Sequence, residues 1–476
     1  MHRKQFLQQT ALTAAAFAFR PAFSFSNTND FPVVRVPVAH RKFKSAAVEK
    51  LIAQFKAKTS NRELAWLFEN TFPNTLDTTV DFETVNGKPD TYIITGDIDA
   101  MWLRDSTAQV WPYLPLVKED KKLQQMIVGV INRQVKNIIK DPYANAFYKD
   151  PNKQGEWKDD KTDMKPGIHE RKWEIDSLCY PVRLSYHYWK LTGDTTPFDE
   201  QWKEAALLTR KTFIEQQRKN GNGPYKFERT TSWATDGVPL GGYGYPVKPV
   251  GLICSMFRPS DDATIFPYLI PSNFFAVASL RQLAEMMTGI YKDQAEAKEM
   301  AALADEVDAA LKQHAVAEHP EFGKVYAYEV NGFGSYNLMD DANVPSLLSL
   351  PYLGAVETSD AIYQNTRKLL LSDSNPFFFK GKFGDGIGGP HIGIDMIWPM
   401  SIVMRGMTSN DDNEIKKCIE MLQSTHGGTG FMHESFHKDD PKKFTRKWFA
   451  WANTIFGEFI HKIATEKPQL VGVKQA

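Results

Sequence analysis

Two kinds of helical stretch alternate along the chain. The first carries apolar residues at intervals of three and four with polar residues between them. Residues 45–58 (SAAVEKLIAQFKAK), 121–140 (KKLQQMIVGVINRQVKNIIK), 196–219 (TPFDEQWKEAALLTRKTFIEQQRK) and 292–315 (KDQAEAKEMAALADEVDAALKQHA) are of this kind. That spacing predicts amphipathic helices with one buried face. The second kind opens on acidic, Arg, His or aromatic residues and then turns apolar on nearly all sides. Six stretches do so: TGDIDAMWLRDSTAQVWPYLP from Thr95, WEIDSLCYPVRLSYHYWKLTG from Trp173, FRPSDDATIFPYLIPSNFFAVASLRQLAEMM from Phe257, YNLMDDANVPSLLSLPYLG from Tyr336, PHIGIDMIWPMSIVMRGMT from Pro390 and FTRKWFAWANTIFGEFIHKI from Phe444. A helix apolar all round is buried. Six of them alternating with amphipathic helices predict an inner ring wrapped by an outer ring, an all-α (α/α)6 toroid.

Short β insertions are expected between the helices, at residues 225–230 (YKFERT) and 324–330 (KVYAYEV). The intervals are uneven, so this is not a strict repeat array. If every inner helix begins at the same end, six polar openings converge there. Helix dipoles and unpaired backbone N–H groups point to the same end. The charges and indoles of the openings then line one pocket, and the Gly-rich residues 236–251 form part of its rim.

Residues 1–26 are a different material. Arg3 and Lys4 precede an Ala-rich apolar stretch and then small residues. This is the layout of an export signal, with a weakened twin-arginine look, and predicts a periplasmic or secreted protein. Residues 27–476 then form a single catalytic domain. Lys plus Arg and Asp plus Glu are both 57, so no net charge recruits nucleic acid or an anionic membrane. No later run of about 18 apolar residues predicts a membrane span. The three cysteines are far apart and lack a C-x-x-C, which points to buried thiols.

His433 to His437 (HESFH) matches the zinc-peptidase pattern H-E-x-x-H, which needs a helix to set both His on one face. GGTG before it and KDDPKK after it disfavour that helix. A Glu434 positioned in a Gly-rich turn is the better reading, and no metal or organic cofactor is implied. What remains is abundant carboxylate at the pocket end: Asp97, Asp99, Asp105, Asp176, Asp261, Asp262, Asp340, Asp341, Asp395 and Glu434. Arg104, Arg258, His391 and His433 accompany them, with Trp102, Trp173, Trp398 and Trp448. Any one of these Asp residues alone is more simply an N-cap. Together they suit a neutral polyhydroxylated ligand, with aromatic faces for a sugar ring and two carboxylates for acid–base cleavage of a glycosidic bond.

The stretches NRELAWLFENTFPNTLDTTV, TGDIDAMWLRDSTAQVWPYL, FRPSDDATIFPYLIPSNFFAV and GGTGFMHESFHKDDPKKFTRKWFAWANTIFGE together resemble glycoside hydrolase family 125. The resemblance implies an exo-acting, inverting α-1,6-mannosidase acting on terminal α-1,6-mannose of mannosides or N-glycan fragments. It also implies Asp261 as general acid and Glu434 as general base. The residues themselves leave Asp262 open as the acid. Like-charged neighbours such as Asp262, Asp176 or Asp105 would help Asp261 keep its proton. Trp102, Arg104, Asp105 and His391 are expected to grip the terminal mannose, with Asp176, Arg258, Asn273 and His433 beside them. The alternatives are another (α/α)6 glycosidase differing in sugar or linkage, a non-catalytic glycan-binding toroid, and the H-E-x-x-H zinc peptidase.

Overall fold

Helices in this protein start in two different ways. In the computed structural model, which describes residues 31–474, seven helices begin on a side chain that accepts a backbone N–H of the first turn. They are α1 (Ala46–Lys58, capped by Ser45), α2 (Arg62–Thr71, Asn61) and α4 (Lys121–Lys140, Asp120). The others are α6 (Glu200–Gln216, Asp199), α8 (Gln294–His314, Asp293), α9 (Ala361–Leu370, Asp360) and α11 (Asp412–Ser424, Asp411). Five longer helices alternate with these and have no side-chain cap: α3 (Leu103–Val110), α5 (Ile175–Thr192), α7 (Ile270–Met286), α10 (Pro399–Met407) and α12 (Ala450–Glu466); the five-residue helix Asn74–Thr78 is also uncapped. The five longer helices are the inner, largely buried set. All eight residues of α3 are buried, and α12 buries Trp451, Ile455, Phe456, Phe459 and Ile460. The expected export leader lies outside the described residues.

The apolar helices pack on one another in series. Helix α3 touches α5 and α12, α5 also touches α7, and α10 touches α12. Each is also covered by a capped helix: α3 by α4, α5 by α6, α7 by α8, α10 by α11, and α12 by α2. The expected inner helix in residues 336–354 does not form. That stretch is a short strand, Tyr336–Asn337, followed by buried turns. Pro345 and Pro351 each lack an N–H and disfavour helix in the residue before them. The turns are held instead by the Asp340 carboxylate, which accepts the N–H groups of Leu347 and Leu348. Residues 225–230 form no strand either; Glu228 makes only an isolated bridge to Lys161.

Short strands introduce three of the inner helices. Met101–Trp102 runs straight into α3, Tyr268–Leu269 into α7, and Met396–Ile397 comes two residues before α10. Each belongs to a small three-stranded sheet. Met101–Trp102 pairs with Ala146–Phe147, which pairs with Ile168–Glu170. Met396–Ile397 pairs with Ser435–His437, which pairs with Asp440–Thr445. These sheets draw residues from distant parts of the sequence to the N-terminal ends of the inner helices. Among the described residues no helix is long and apolar enough to cross a membrane.

Candidate active site

One guanidinium organises the carboxylates at the helix openings. Arg104, in the first turn of α3, is buried. Its Nη1 donates to Glu174 at 2.6 Å and Asp176 at 3.2 Å, its Nε lies 3.4 Å from Asp105, and its Nη2 is 3.5 Å from Asp261. Four carboxyl groups thus share one positive charge, and burial penalises the ionised forms of Asp105, Asp176 and Glu174. Asp105 is pushed up to about 6, by burial first; Arg104 opposes the rise and Asp261 adds to it. Asp176 is likewise raised to about 6 by burial against the pull of Arg104. Glu174 stands well above the ordinary range, chiefly through burial, with Asp261 and Asp176 adding to the effect. Glu174 Oε1 and Asp176 Oδ1 are buried without a hydrogen-bond partner.

Asp261 lies on a tight turn that leads toward α7. Its N–H donates to the Arg258 carbonyl, and the Arg258 N–H donates to the Asp262 carbonyl. The turn forces Asp261 to φ +67°, a left-handed conformation that Asp tolerates better than most side chains. The Asp261 side chain is 25% exposed, while the neighbouring Asp262 is buried. Asp262 accepts from Thr235 Oγ1 at 2.6 Å and Ser260 Oγ at 3.4 Å, and lies 3.6 Å from His391 Nδ1. Burial would raise Asp262, but His391, Thr235 and Arg258 outweigh it and hold the carboxyl below its usual value. Burial would likewise discharge His391, yet Asp262, helped by Glu434 and Asp261, pushes the imidazole up to about 9. The pair is therefore carboxylate and imidazolium near neutral pH. The partners separate the two residues of the DDA motif: His391 and Thr235 hold Asp262, whereas Asp261 faces Arg104.

Glu434 comes from a different part of the chain. It precedes the strand Ser435–His437, so HESFH runs into a strand and not along a helix. The buried Glu434 carboxylate meets Arg446 Nη1 at 3.4 Å. Arg446, just after the strand Asp440–Thr445, also binds Asp97 at 2.5 Å and Thr95 at 3.2 Å, and lies over the Phe449 ring. His391 feels the charge of both Asp261 and Glu434, and Asp105 that of Asp261 and Arg446. These interactions gather the acidic turn, the HES turn and the first turn of α3 around one site.

The other expected site residues take varied places. Trp102 is buried with an indole N–H that finds no acceptor, and its ring meets the edge of His169. Trp398 also has an unpartnered N–H. Trp173 and Trp448 do not serve the pocket in this way: their N–H groups bond the Cys254 carbonyl and Thr78. Arg258 is a buried wall residue, paired with Glu329 at 2.7 Å, with one Nη2 unpartnered. Asn273 is a structural amide, since its side chain bonds the backbone of Ile253 and Leu269. His433 stacks on Phe444 at 3.7 Å and meets Thr429, and burial lowers it to about 4, so it is a neutral brace for the HES turn. Asp99 pairs with Lys153, and Asp395 with Lys438, away from the buried cluster. None of the pocket Asp residues caps an inner helix. Glu174, Arg446, Asn145 and Lys172 were not singled out in the sequence. Glu174 and Arg446 lie inside WEID and FTRKW, charged openings of two of the stretches read as inner helices, and that charge was the available signal.

Comparison with known proteins agrees with this chemistry. Residues 61–461 match the family model of the metal-independent α-mannosidases, glycoside hydrolase family 125. The chain is 42% identical over 461 residues to the Meiotically up-regulated gene 157 protein of Schizosaccharomyces pombe, covering 92% of this chain and 90% of that one. A solved metal-independent α-mannosidase from Streptococcus pneumoniae, in a non-productive complex with α-1,6-mannobiose, superposes with TM-score 0.86 at 39% identity. The match covers 90% of this chain and all of that one. A family 78 rhamnosidase from Bacillus sp. GL1 shares the fold alone, with TM-score 0.53 at 12% identity over 85% of this chain and 35% of that one.

Proposed function

The chain belongs to the metal-independent α-mannosidases of glycoside hydrolase family 125, and from that premise we propose an exo-acting, inverting α-1,6-mannosidase on an (α/α)6 toroid. The α-1,6 linkage is supported by the disaccharide in the Streptococcus pneumoniae complex. The substrate is a mannoside or N-glycan fragment with a non-reducing terminal α-1,6-mannose. Asp261 protonates the glycosidic oxygen as the C–O bond breaks. Glu434 removes a proton from the water that attacks the anomeric carbon from the opposite face. Arg104, Asp105, Trp102 and His391 hold the terminal sugar. The leader sequence supports a periplasmic or secreted location.

The observation that carries this reading is the contrast within the DDA motif. Asp262 is buried, ionised and paired with His391, whereas Asp261 is partly exposed beside the Arg104 cluster. The test is the first anomer released from a linkage-defined mannobiose panel, followed by proton NMR. β-Mannose should appear first, from the α-1,6 isomer and in the presence of EDTA. α-Mannose appearing first would end the assignment of Glu434 as a base acting through water. Glu434→Gln should abolish turnover and retain sugar binding, because the amide keeps the shape but cannot take the water's proton.

A further inference from the structure

Asp261 is gripped at two separate points. The Lys172 ammonium donates to its main-chain carbonyl at 2.8 Å. Asn145 Nδ2, at 3.2 Å, and Arg104 Nη2, at 3.5 Å, both approach the same carboxyl oxygen, Oδ1. Asn145 and Lys172 are both buried and joined to each other, since the Lys172 N–H donates to Asn145 Oδ1 at 3.1 Å. Each is braced in turn. Asn145 gives its carbonyl to the N–H of Leu103 at the start of α3, and its Nδ2 also reaches Glu170 at 3.3 Å. Lys172 is anchored by Asp236 at 2.8 Å and Glu170 at 3.3 Å, above the Phe257 ring. Arg229 ties Glu170, Asp236 and Asp160 into the same buried group.

From this geometry we propose that Asn145 and Lys172 are positioning residues for the acid: together with Arg104 they reserve Oδ1 as an acceptor and so leave Oδ2 as the oxygen that carries the catalytic proton. The inference rests on the reading of Asp261 as the general acid. A carboxylic acid has one O–H donor and one carbonyl acceptor, and two N–H donors aimed at Oδ1 fit only the acceptor. Lys172 does the complementary work on the main chain. Its bond to the carbonyl holds Asp261 in the left-handed conformation that a turn of non-glycine residues does not favour. In the step itself the proton moves from Oδ2 to the glycosidic oxygen and the anomeric C–O bond breaks with its electron pair going to that oxygen. Asp261 is left as a carboxylate whose charge Arg104, Asn145 and Lys172 already face.

Leaving groups distinguish a positioning role from a merely structural one. Asn145→Ala and Lys172→Met, with Lys172→Arg as the conservative control, should be assayed on α-1,6-mannobiose and on an activated aryl α-mannoside. Misplacing an acid by an ångström costs about 100-fold. The expected result is a fall of about 100-fold in kcat on mannobiose and less than about 5-fold on the aryl mannoside, which needs little protonation. Lys172→Arg should recover part of the loss. In an Asp261→Asn background, Asn145→Ala should cost less than about 2-fold more, because residues acting through one group are not additive. Equal losses on both substrates, or full additivity in the double variant, would overturn the clamp. If Asn145→Ala does not fold, the Lys172 pair decides alone on the same ratio. Should Asp261→Asn itself slow both substrates equally, the assignment of the acid fails; should it show the leaving-group bias while the clamp variants do not, only the clamp fails.

Discussion

Asp262→Asn should discharge His391. In the native protein the imidazole Nδ1 sits 3.6 Å from Asp262 Oδ1, and the ring is pushed up from 6.5 to about 9. A rise of that size corresponds to about 3.4 kcal/mol of preference for the charged ring, at about 1.4 kcal/mol per pH unit. The ring is 37% exposed, so solvent screens the pair and the net coupling is nearer ~1–2 kcal/mol. Removing the Asp262 charge should therefore lower the His391 titration by at least about one pH unit. Asp261 and Glu434 still favour the cation and stop it from falling further. The assay is 13C-labelled histidine NMR, with the Cε1 resonance identified by its loss in His391→Asn. A native His391 that titrates at or below 6.5, or one that does not move in Asp262→Asn, would refute the ion pair. The stability sign follows from the raised value. The stabilisation is full below 6.5 and is lost as pH rises through about 9, so the variant's Tm deficit should be larger at pH 6 than at pH 10. Activity supplies a second readout. Because Asp262 holds no proton, Asp262→Asn should affect mannobiose and aryl mannoside alike, unlike Asp261→Asn.

Two further perturbations probe the scaffold. Glu458 in α12 accepts from Trp111 at 3.1 Å and Tyr352 at 3.0 Å, and burial, against the pull of Arg183, raises it to about 7. Its stabilisation is full below 4.5 and is lost as pH rises through 7, so Glu458→Gln should flatten the fall of Tm between pH 5 and 8, by up to ~3 kcal/mol; an unchanged slope would contradict the assignment. At Gly96 φ is +136° and a Cβ would stand 2.3 Å from the Trp448 carbonyl oxygen, so Gly96→Ala should cost at least ~2 kcal/mol in thermal shift, and kcat as well, because Asp97 and Arg446 meet beside that contact. A variant with native Tm and kcat would show that this backbone approach is dispensable.

The outer helices were legible because capping and amphipathicity are local. Residues 121–140 form α4 as expected, with Asp120 as the cap. The fourth inner stretch was not legible. Its Leu348, Leu350 and Leu353 are buried as an inner helix would bury them, but Pro345 and Pro351 break the backbone and a distant-looking acid, Asp340, replaces the helical bonds. Burial pattern alone cannot separate a buried helix from buried turns. In the site, the crowding of carboxylates was legible and their partners were not. Asp261 and Asp262 are adjacent in sequence and similar in composition. What divides them is Thr235 and His391 on one and Arg104, Asn145 and Lys172 on the other, all supplied by other segments. Asn273 failed for the same reason in reverse. It was expected beside the residues that grip the sugar, yet the backbone of Ile253 engages its amide.

The distribution of caps explains why the charges crowd the mouths of the buried helices. An outer helix satisfies its first N–H groups with Ser, Asn or Asp and leaves the dipole facing water. The inner helices carry no such side chain, although Asp105 and Asp176 stand in their first turns. Those carboxyls turn instead to Arg104, which buried ion pairing would make costly if all were ionised. Asp105, Asp176 and Glu174 are all raised. A cluster built this way sets Glu174, raised well above the ordinary carboxyl range, beside Asp105 and Asp176, which are raised to about 6, all around one fixed cation. It also keeps negative charge close to Asp261 without flooding the site with it. Using those acids as caps would have stabilised the helices more simply; because they do not cap, their carboxyls are left to meet Arg104 at the helix openings.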